Sequence, residues 1–456
     1  MKSSISSEKF LLSIKWFVIL QPLLDMITSI SVRFISFSLT IGMVSRILFV
    51  ALIGIYLLVF FKNKTKKYLL GLYIIICIYG GFNIFNSALQ FGKTTVLENC
   101  KMFFKMYYFI FVLLFFYALF KEYGFHIKNK ILTIVFLEYT ASIFISAITN
   151  TSFVTYNYAK GYCGWFYAGN EVGAIISILS IVSLIYSVKS KNYILKIAVG
   201  FLTAFSAVYV GTKVPFLACL GAIVTLLLFF AVKSIIKKDK SSTKNCLYLF
   251  SFLLITILLF EINSPVKINN STMTNEHYET HVTERLENKD KDKEKDIIIN
   301  DPTINEIYNS KAFIVANWIL SDRLISISPA IVSYIKSSAL QKCLGLGYIF
   351  KTFTGETYDL LIEMDFIALL INHGIVGLIL YLIPIFYLSI QCIKKFFSNI
   401  KRFFDMEEET AYIYSIIIAI GCAFLAGHVL TAPSVSIYFA IIIVNLYAKL
   451  NNYERL

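Results

Sequence analysis

Metal and disulfide chemistry have little to work with in this chain. Its 456 residues include five histidines, none at ligand spacing. Its eight cysteines show no CxxC pairing, and Cys77, Cys219 and Cys422 lie inside apolar runs. No metal site, no disulfide framework and no cofactor is expected. Charge is scarce as well, at 15% of residues against 57% hydrophobic, with a mean hydropathy of +0.71. That balance argues against a soluble globular protein of this size. Alternating segments of about ten residues are missing, which argues against a transmembrane barrel. No internal repeat is visible, nor are discontinuous helices related by inverted symmetry, the pattern of many secondary transporters. The N-terminus lacks a small-residue cleavage site, and Pro22 and Asp25 interrupt its apolar core. It therefore reads as a retained first span rather than a signal peptide.

What the chain does have is a succession of apolar runs of about 20 residues, each able to cross a hydrocarbon layer of roughly 30 Å. Twelve are expected, at about 10–31, 36–61, 68–90, 102–120, 130–149, 169–188, 192–211, 214–232, 246–262, 366–392, 411–431 and 433–449. The fold class is an all-α polytopic membrane protein of about twelve transmembrane helices, with one large extracytoplasmic loop before the last three spans. Three parts follow: an N-terminal bundle of about nine spans (1–262), the loop (263–365), and three C-terminal spans with a tail (366–456).

The net charge of +14 sits in short loops between runs. "KNKTKK" (62–67), "KEYGFHIKNK" (121–130), "KSKN" (189–192), "KSIIKKDKSSTK" (233–244) and "KKFFSNIKR" (394–402) all fall on one side. This is the mark of cytoplasmic loops beside an anionic leaflet, not of a nucleic-acid partner, and it puts both termini inside. The first half of the large loop, with its run "NKDKDKEKD", reads as a flexible solvated spacer. The second half carries Ile314, Trp318, Leu324, Ile331 and Ile335 at helical spacing, so one or two helices are expected over the outer mouth of the bundle.

Polar residues then collect on the outer side. In "YVGTKVPF" (209–216) Lys213 falls where Thr212 would cap a helix and Pro215 would lie in its first turn. A cation there opposes the helix dipole by a few tenths to about 1 kcal/mol. Either an anionic ligand reverses that sign, or the lysine stem snorkels to water. In "GYCGWFYAGNEVGAI" (161–175), Trp165, Asn170 and Glu171 stand together. They form an interfacial aromatic belt with polar neighbours, or a surface that stacks on a sugar ring and binds its hydroxyls. Arg323 is a second isolated outer cation, for an anion or for a partner such as Asp322. "ETYDLLIEMDF" (356–366) brings Glu356, Asp359, Glu363 and Asp365 down to span ten. Glu363 and Asp365 are placed either for proton abstraction or merely where the loop ends. Asp25, Arg46 and Lys105 lie within spans and should face protein or water. His373 and His428 read as hydrogen-bonded helix contacts.

Four local patterns, in this order, resemble the O-antigen polymerase and O-antigen ligase superfamily in its Gram-positive-type form. They are "LQPLLDM" (20–26), "GWFYAGNEVGAI" (164–175), "GTKVPFLACL" (211–220), and "CLGLGYIF" (343–350) followed by "EMDFIALLINHGIVGLILYL" (363–382). The resemblance implies a bacterial plasma-membrane glycosyltransferase acting on the outer face. Its donor would be a polyprenyl-pyrophosphate-linked oligosaccharide, its acceptor a glycan, and neither metal nor nucleotide sugar would be needed. Lys213 and Arg323 then correspond to the pyrophosphate-binding basic residues; beside them, the residue chemistry above offers Trp165, Asn170 and Glu171 as glycan contacts and Glu363 or Asp365 as the base. Where the family's ligases commonly place a histidine, this chain has Glu363-Met364-Asp365. Membrane lipid is a further implied partner, and a flippase and a chain-length regulator are candidate ones. Polymerase and ligase both fit this pattern. A lipid-linked oligosaccharide flippase would need charged residues along a mid-membrane path.

Overall fold

The computed structural model describes residues 2–35, 40–156, 159–262, 264–269, 323–352, 357–358 and 362–452, with six positions between 310 and 320. The spacer around 288–296, Ile314, Trp318, Asp322, Glu356 and Asp359 lie outside the described residues. Each of the twelve apolar segments is helical over most of its described residues. The helices are α1 (Lys2–Ile19), α2 (Gln21–Ile30), α3 (Ile41–Ile55), α4 (Lys66–Phe91), α5 (Val96–Tyr123), α6 (Asn129–Ile148), α7 (Gly169–Lys189), α8 (Tyr193–Tyr209), α9 (Lys213–Lys237) and α10 (Lys240–Glu261). After the large loop come α11 (Arg323–Lys336), α12 (Ala339–Leu344), α13 (Asp365–Ser398), α14 (Glu407–Leu425) and α15 (Pro433–Asn452). Among the described residues, ten helices are long and apolar enough to cross a membrane. The first apolar run, Ser7–Ile19 with Gln21–Ile35, is bent by 45° and adds an eleventh if it crosses as one, while α8 is shorter.

The bend follows from Pro22, which enters the first turn of α2 without a backbone donor. Gln21 beside it donates to the Phe17 carbonyl at 3.2 Å. Helices α5, α7 and α15 form the buried centre. Their sequences explain why: Met106–Leu119 of α5 is apolar on every side, as a helix surrounded by other helices requires. On α7 the small Gly173, Ser177, Ser180 and Ser183 let neighbours approach closely. At the lysine-rich face, Glu407 and Glu408 of α14 bind Lys189 of α7 (2.8 and 3.4 Å), Lys233 of α9 (2.5 Å) and Lys449 of α15 (2.8 Å).

The opposite face carries a hairpin, β1 (Val154–Tyr156) against β2 (Ala159–Tyr162), and a second small pair, β3 (Phe350–Lys351) against β4 (Thr357–Tyr358). Asn269 ties the first hairpin to the α8–α9 turn, donating to the carbonyls of Lys160 and Gly211 and accepting from Lys160 N–H. Thr155 adds a bond to the Val210 carbonyl at 2.7 Å. Among the described residues of the segment between α10 and α13, α11 and α12 are helical. Leu324 and Ile331 pack on the core, while Ile335 is exposed.

One expectation needs correcting. The tenth span is discontinuous: Gly374 has φ 60° and ψ −172°, breaking α13 a third of the way along. Inside a membrane the freed carbonyls must find protein donors. The segment after α12 supplies two, with Leu346 N–H bonding the Ile371 carbonyl (2.8 Å) and Gly347 N–H the Asn372 carbonyl (3.1 Å). From α4, the Tyr79 hydroxyl donates to the His373 carbonyl, and Asn83 donates to Asn372 O at 3.0 Å. Gly345 (φ 86°) and Gly347 (φ 80°) are required here, because a Cβ at Gly345 would collide with the Asn372 carbonyl and one at Gly347 would meet Ser87 and Asn99. "CLGLG" is thus the backbone that plugs the break. The His373 imidazole is sealed beneath it against Met106, Phe103 and Tyr107.

Gly345→Ala is expected to lower the unfolding temperature of the detergent-solubilised protein clearly, since backbone strain alone costs about 1–3 kcal/mol. Gly81→Ala, where an added Cβ meets open space, should leave it nearly unchanged.

Candidate functional site

Three groups of polar residues lie at the hairpin face or between the helices below it. The first lines a cavity of about 400 Å³ bounded by α2, α3, α5, α6, α7 and the α14–α15 loop. Asp25 and Arg46 meet on one wall at 2.5 Å, both largely buried. Arg46 also donates to the Gln21 side chain at 3.1 Å, and Tyr139 donates to the other Asp25 oxygen at 2.6 Å. Lys101 and Lys105 of α5, Glu171 of α7, and Thr28, Thr40, His428 and Ser434 complete the polar lining, with Tyr108, Phe166 and Tyr167 between them. Glu171 accepts the Ser434 hydroxyl. Lys101 pairs with Glu98 at 2.6 Å. Lys105 is exposed and has no hydrogen bond or ion pair among the described residues. Three cations therefore face two carboxylates.

The second group is a loop clasp. Residues 426–432 leave helical geometry between α14 and α15, so the eleventh span ends at Leu425, and His428 sits in the loop at φ 62° rather than in a helix. Asp365, fully buried, gathers this loop. It accepts the N–H groups of His428 (2.9 Å), Val429 (2.9 Å) and Leu430 (2.7 Å) and the Thr431 hydroxyl (2.6 Å). Four donors occupy the carboxylate, which makes Asp365 an anchor and leaves it no lone pair aimed at an acceptor hydroxyl. Glu363, two residues earlier, is half exposed and accepts Arg323 Nε at 2.6 Å. Gly427 packs so tightly on the Glu363 backbone that any Cβ would overlap its carbonyl. The cavity and the Arg323–Glu363 pair therefore adjoin through the loop that bears His428.

The third group is the start of α9. Thr212 is at the N-cap and Lys213 is the first helical residue, as expected, but the Thr212 hydroxyl makes no cap bond and is buried without a partner among the described residues. Lys213 is exposed. Gly173, two residues beyond Glu171, lies against Thr212 and Pro215, so α7 and α9 begin side by side.

Of the sequence-selected residues, the structure joins Arg323 to Glu363, sets Asp365 under the His428 loop and puts Glu171 in the cavity wall. Asn170, beside Glu171 on α7, and Trp165 are not among the cavity-lining residues; Trp165 donates its indole N–H to Thr151 at 3.1 Å beside the hairpin. From the sequence, His428 reads only as a helix contact, and Asp25, Arg46 and Lys105 only as groups that face protein or water. The signals were present: ionisable residues within apolar runs, and Gly427 with Pro433 bracketing a non-helical stretch.

Asp365→Asn should destabilise the protein more than Glu363→Gln, because an amide cannot accept from three N–H groups and a hydroxyl, and each buried donor left unsatisfied costs about 1–3 kcal/mol. Thermal unfolding of the two variants in the same detergent checks this order.

A family model described as O-antigen ligase like membrane protein matches residues 6–453. No curated protein and no solved structure matches significantly. The matched residues take in all three groups of polar residues described above. With a match of that extent, the chain belongs to the O-antigen ligase-like membrane proteins and so to the membrane machinery of polysaccharide assembly.

Proposed function

We propose that the protein polymerises polyprenyl-pyrophosphate-linked oligosaccharide repeat units at the outer face of a bacterial plasma membrane. The lysine-rich face is then cytoplasmic, with both termini on it, by the charge bias of its loops. The observation that carries the reading is the Arg323–Glu363 pair, a cation and a carboxylate 2.6 Å apart, which the clasped loop joins to a neighbouring cation-rich cavity. Glycosyl transfer from a lipid pyrophosphate needs cations where the leaving group gathers charge and a proton acceptor a few ångströms away.

In the proposed reaction an acceptor hydroxyl attacks the anomeric carbon of the donor sugar. The bond from that carbon to the phosphate oxygen breaks, and the electron pair leaves with the polyprenyl pyrophosphate. Direct displacement inverts the anomeric carbon. Lys213, at a helix start with N–H groups and dipole aimed the same way, receives the leaving pyrophosphate together with Arg323. Arg323 is engaged by Glu363 at 2.6 Å, so a phosphate oxygen that takes over the guanidinium frees the carboxylate. Glu363 then accepts the acceptor's proton. Glu171 and His428 bind acceptor hydroxyls, and Trp165 and Asn170 contact the glycan further out. Asp365 positions the loop.

The assay is extension of a lipid-linked oligosaccharide by purified protein in lipid, with products followed by size. Lys213→Ala should abolish the ladder without loss of folded protein. Glu363→Gln should lower turnover about 100-fold or more, the usual share of a general base, with little change in acceptor affinity. Full activity in both variants would overturn these roles. Transfer to an added surface glycan with no ladder would mean a ligase.

A further inference from the structure

We infer that the cavity between α2, α3, α5 and α7 is a second, separate site for a polyprenyl pyrophosphate headgroup, the one that holds the acceptor lipid while Lys213 and Arg323 hold the donor. The inference rests on the glycosyl-transfer reading above and deepens it. A polymerase joins two lipid-linked substrates in one membrane, so two pyrophosphates must be held at once. A ligase needs to hold one.

Depth is the first argument. Val96 starts α5 at the hairpin face, and at about 1.5 Å per residue Lys101 lies about 8 Å and Lys105 about 14 Å along the helix from that end. An exposed ammonium at that depth is costly in hydrocarbon unless an anion or water accompanies it. A free sugar chain stays in the aqueous layer, whereas the headgroup of a membrane-borne lipid reaches this level with its prenyl tail still among lipids.

Charge is the second argument. The lining groups that carry charge are Arg46, Lys101 and Lys105 against Asp25 and Glu171, with His428 at one side. Asp25 is already committed, to Arg46 at 2.5 Å and to Tyr139 at 2.6 Å. Glu171 accepts from Ser434. Glu98, outside the lining, takes one bond from Lys101. The carboxylates thus hold the walls in place, and Lys105 has no partner among the described residues.

An independent observation points the same way. Tyr108 lines the cavity, is almost wholly buried, and its hydroxyl has no hydrogen-bond partner among the described residues. A buried hydroxyl donor is expected to be satisfied, and a phosphate oxygen would satisfy it. The remaining wall, with Val32, Ile47, Val50 and Phe104, suits the first isoprene units. His428 borders this cavity and belongs to the loop packed on Glu363, which places the acceptor's sugar at the base.

The test counts bound headgroups. Protein in nanodiscs of zwitterionic lipid is titrated with sugar-free polyprenyl pyrophosphate, and bound equivalents are read by native mass spectrometry. Two equivalents are expected for the wild type, one each for Lys213→Ala and Lys105→Ala, and none for the double variant. Lys105 is exposed, so its removal leaves the buried Arg46–Asp25 pair and the fold intact. In Lys105→Ala the second equivalent should weaken roughly tenfold or more, the scale of one charge-assisted bond. One equivalent in the wild type, lost with Lys213→Ala, would overturn the second site and leave the proposed reaction standing. No binding at all would overturn both. In the Lys213→Ala protein, where only the cavity equivalent remains, displacement by phosphatidylglycerol at a comparable concentration would assign the cavity to bulk anionic lipid, and displacement by inorganic pyrophosphate alone to a free anion. Either result would overturn the inference.

Discussion

In hydrocarbon, a backbone group that leaves helical geometry has no water to bond, and this constraint shapes every irregular stretch described here. The break at Gly374 is filled by the "CLGLG" backbone and by Tyr79 and Asn83. The loop at 426–432 is gathered by one carboxylate, Asp365. Both devices belong to α13. The helix whose first residue gathers the 426–432 loop is therefore also the helix that is interrupted at Gly374.

The same economy explains how a membrane protein keeps charges at depth. Asp25 and Arg46 face one another from α2 and α3, with Gln21 and Tyr139 supplying further bonds. Removing one partner of such a pair typically costs about 3–5 kcal/mol, so the pair is a rigid wall more than a mobile reagent. Its effect is to hold a cavity open beneath the interface, where Lys101 and Lys105 reach the same space. Lys213 and the Glu363 carboxylate are more exposed than the Asp25–Arg46 pair and sit toward the hairpin face.

Residue chemistry in the sequence already placed much of this. The all-helical polytopic membrane character, the lysine-rich short loops and the start of α9 at Lys213 are readable from run length, charge and caps. Glu363 and Arg323 were picked out separately, and the structure pairs them. Asp365 was picked out for the wrong feature: a carboxylate at the end of a loop looks like a base until its four donors, 63 to 66 residues away, are seen. His428 was hidden because an apolar run masks a break whose only local signs are Gly427 and Pro433.

The sequence by itself determined that this is a helical membrane protein, which side of it is basic, and which residue types stand near the other side. Those follow from local rules, since hydrophobic length and loop charge act over tens of residues. The tertiary structure alone decided which charges share a cavity, which carboxylate is spent on backbone N–H groups, and where a helix stops in mid-span. These depend on partners distant in sequence, Asp25 with Arg46 and Tyr139, Asp365 with residues 428–431, and Gly374 with residues 343–347, and no local pattern encodes such pairings.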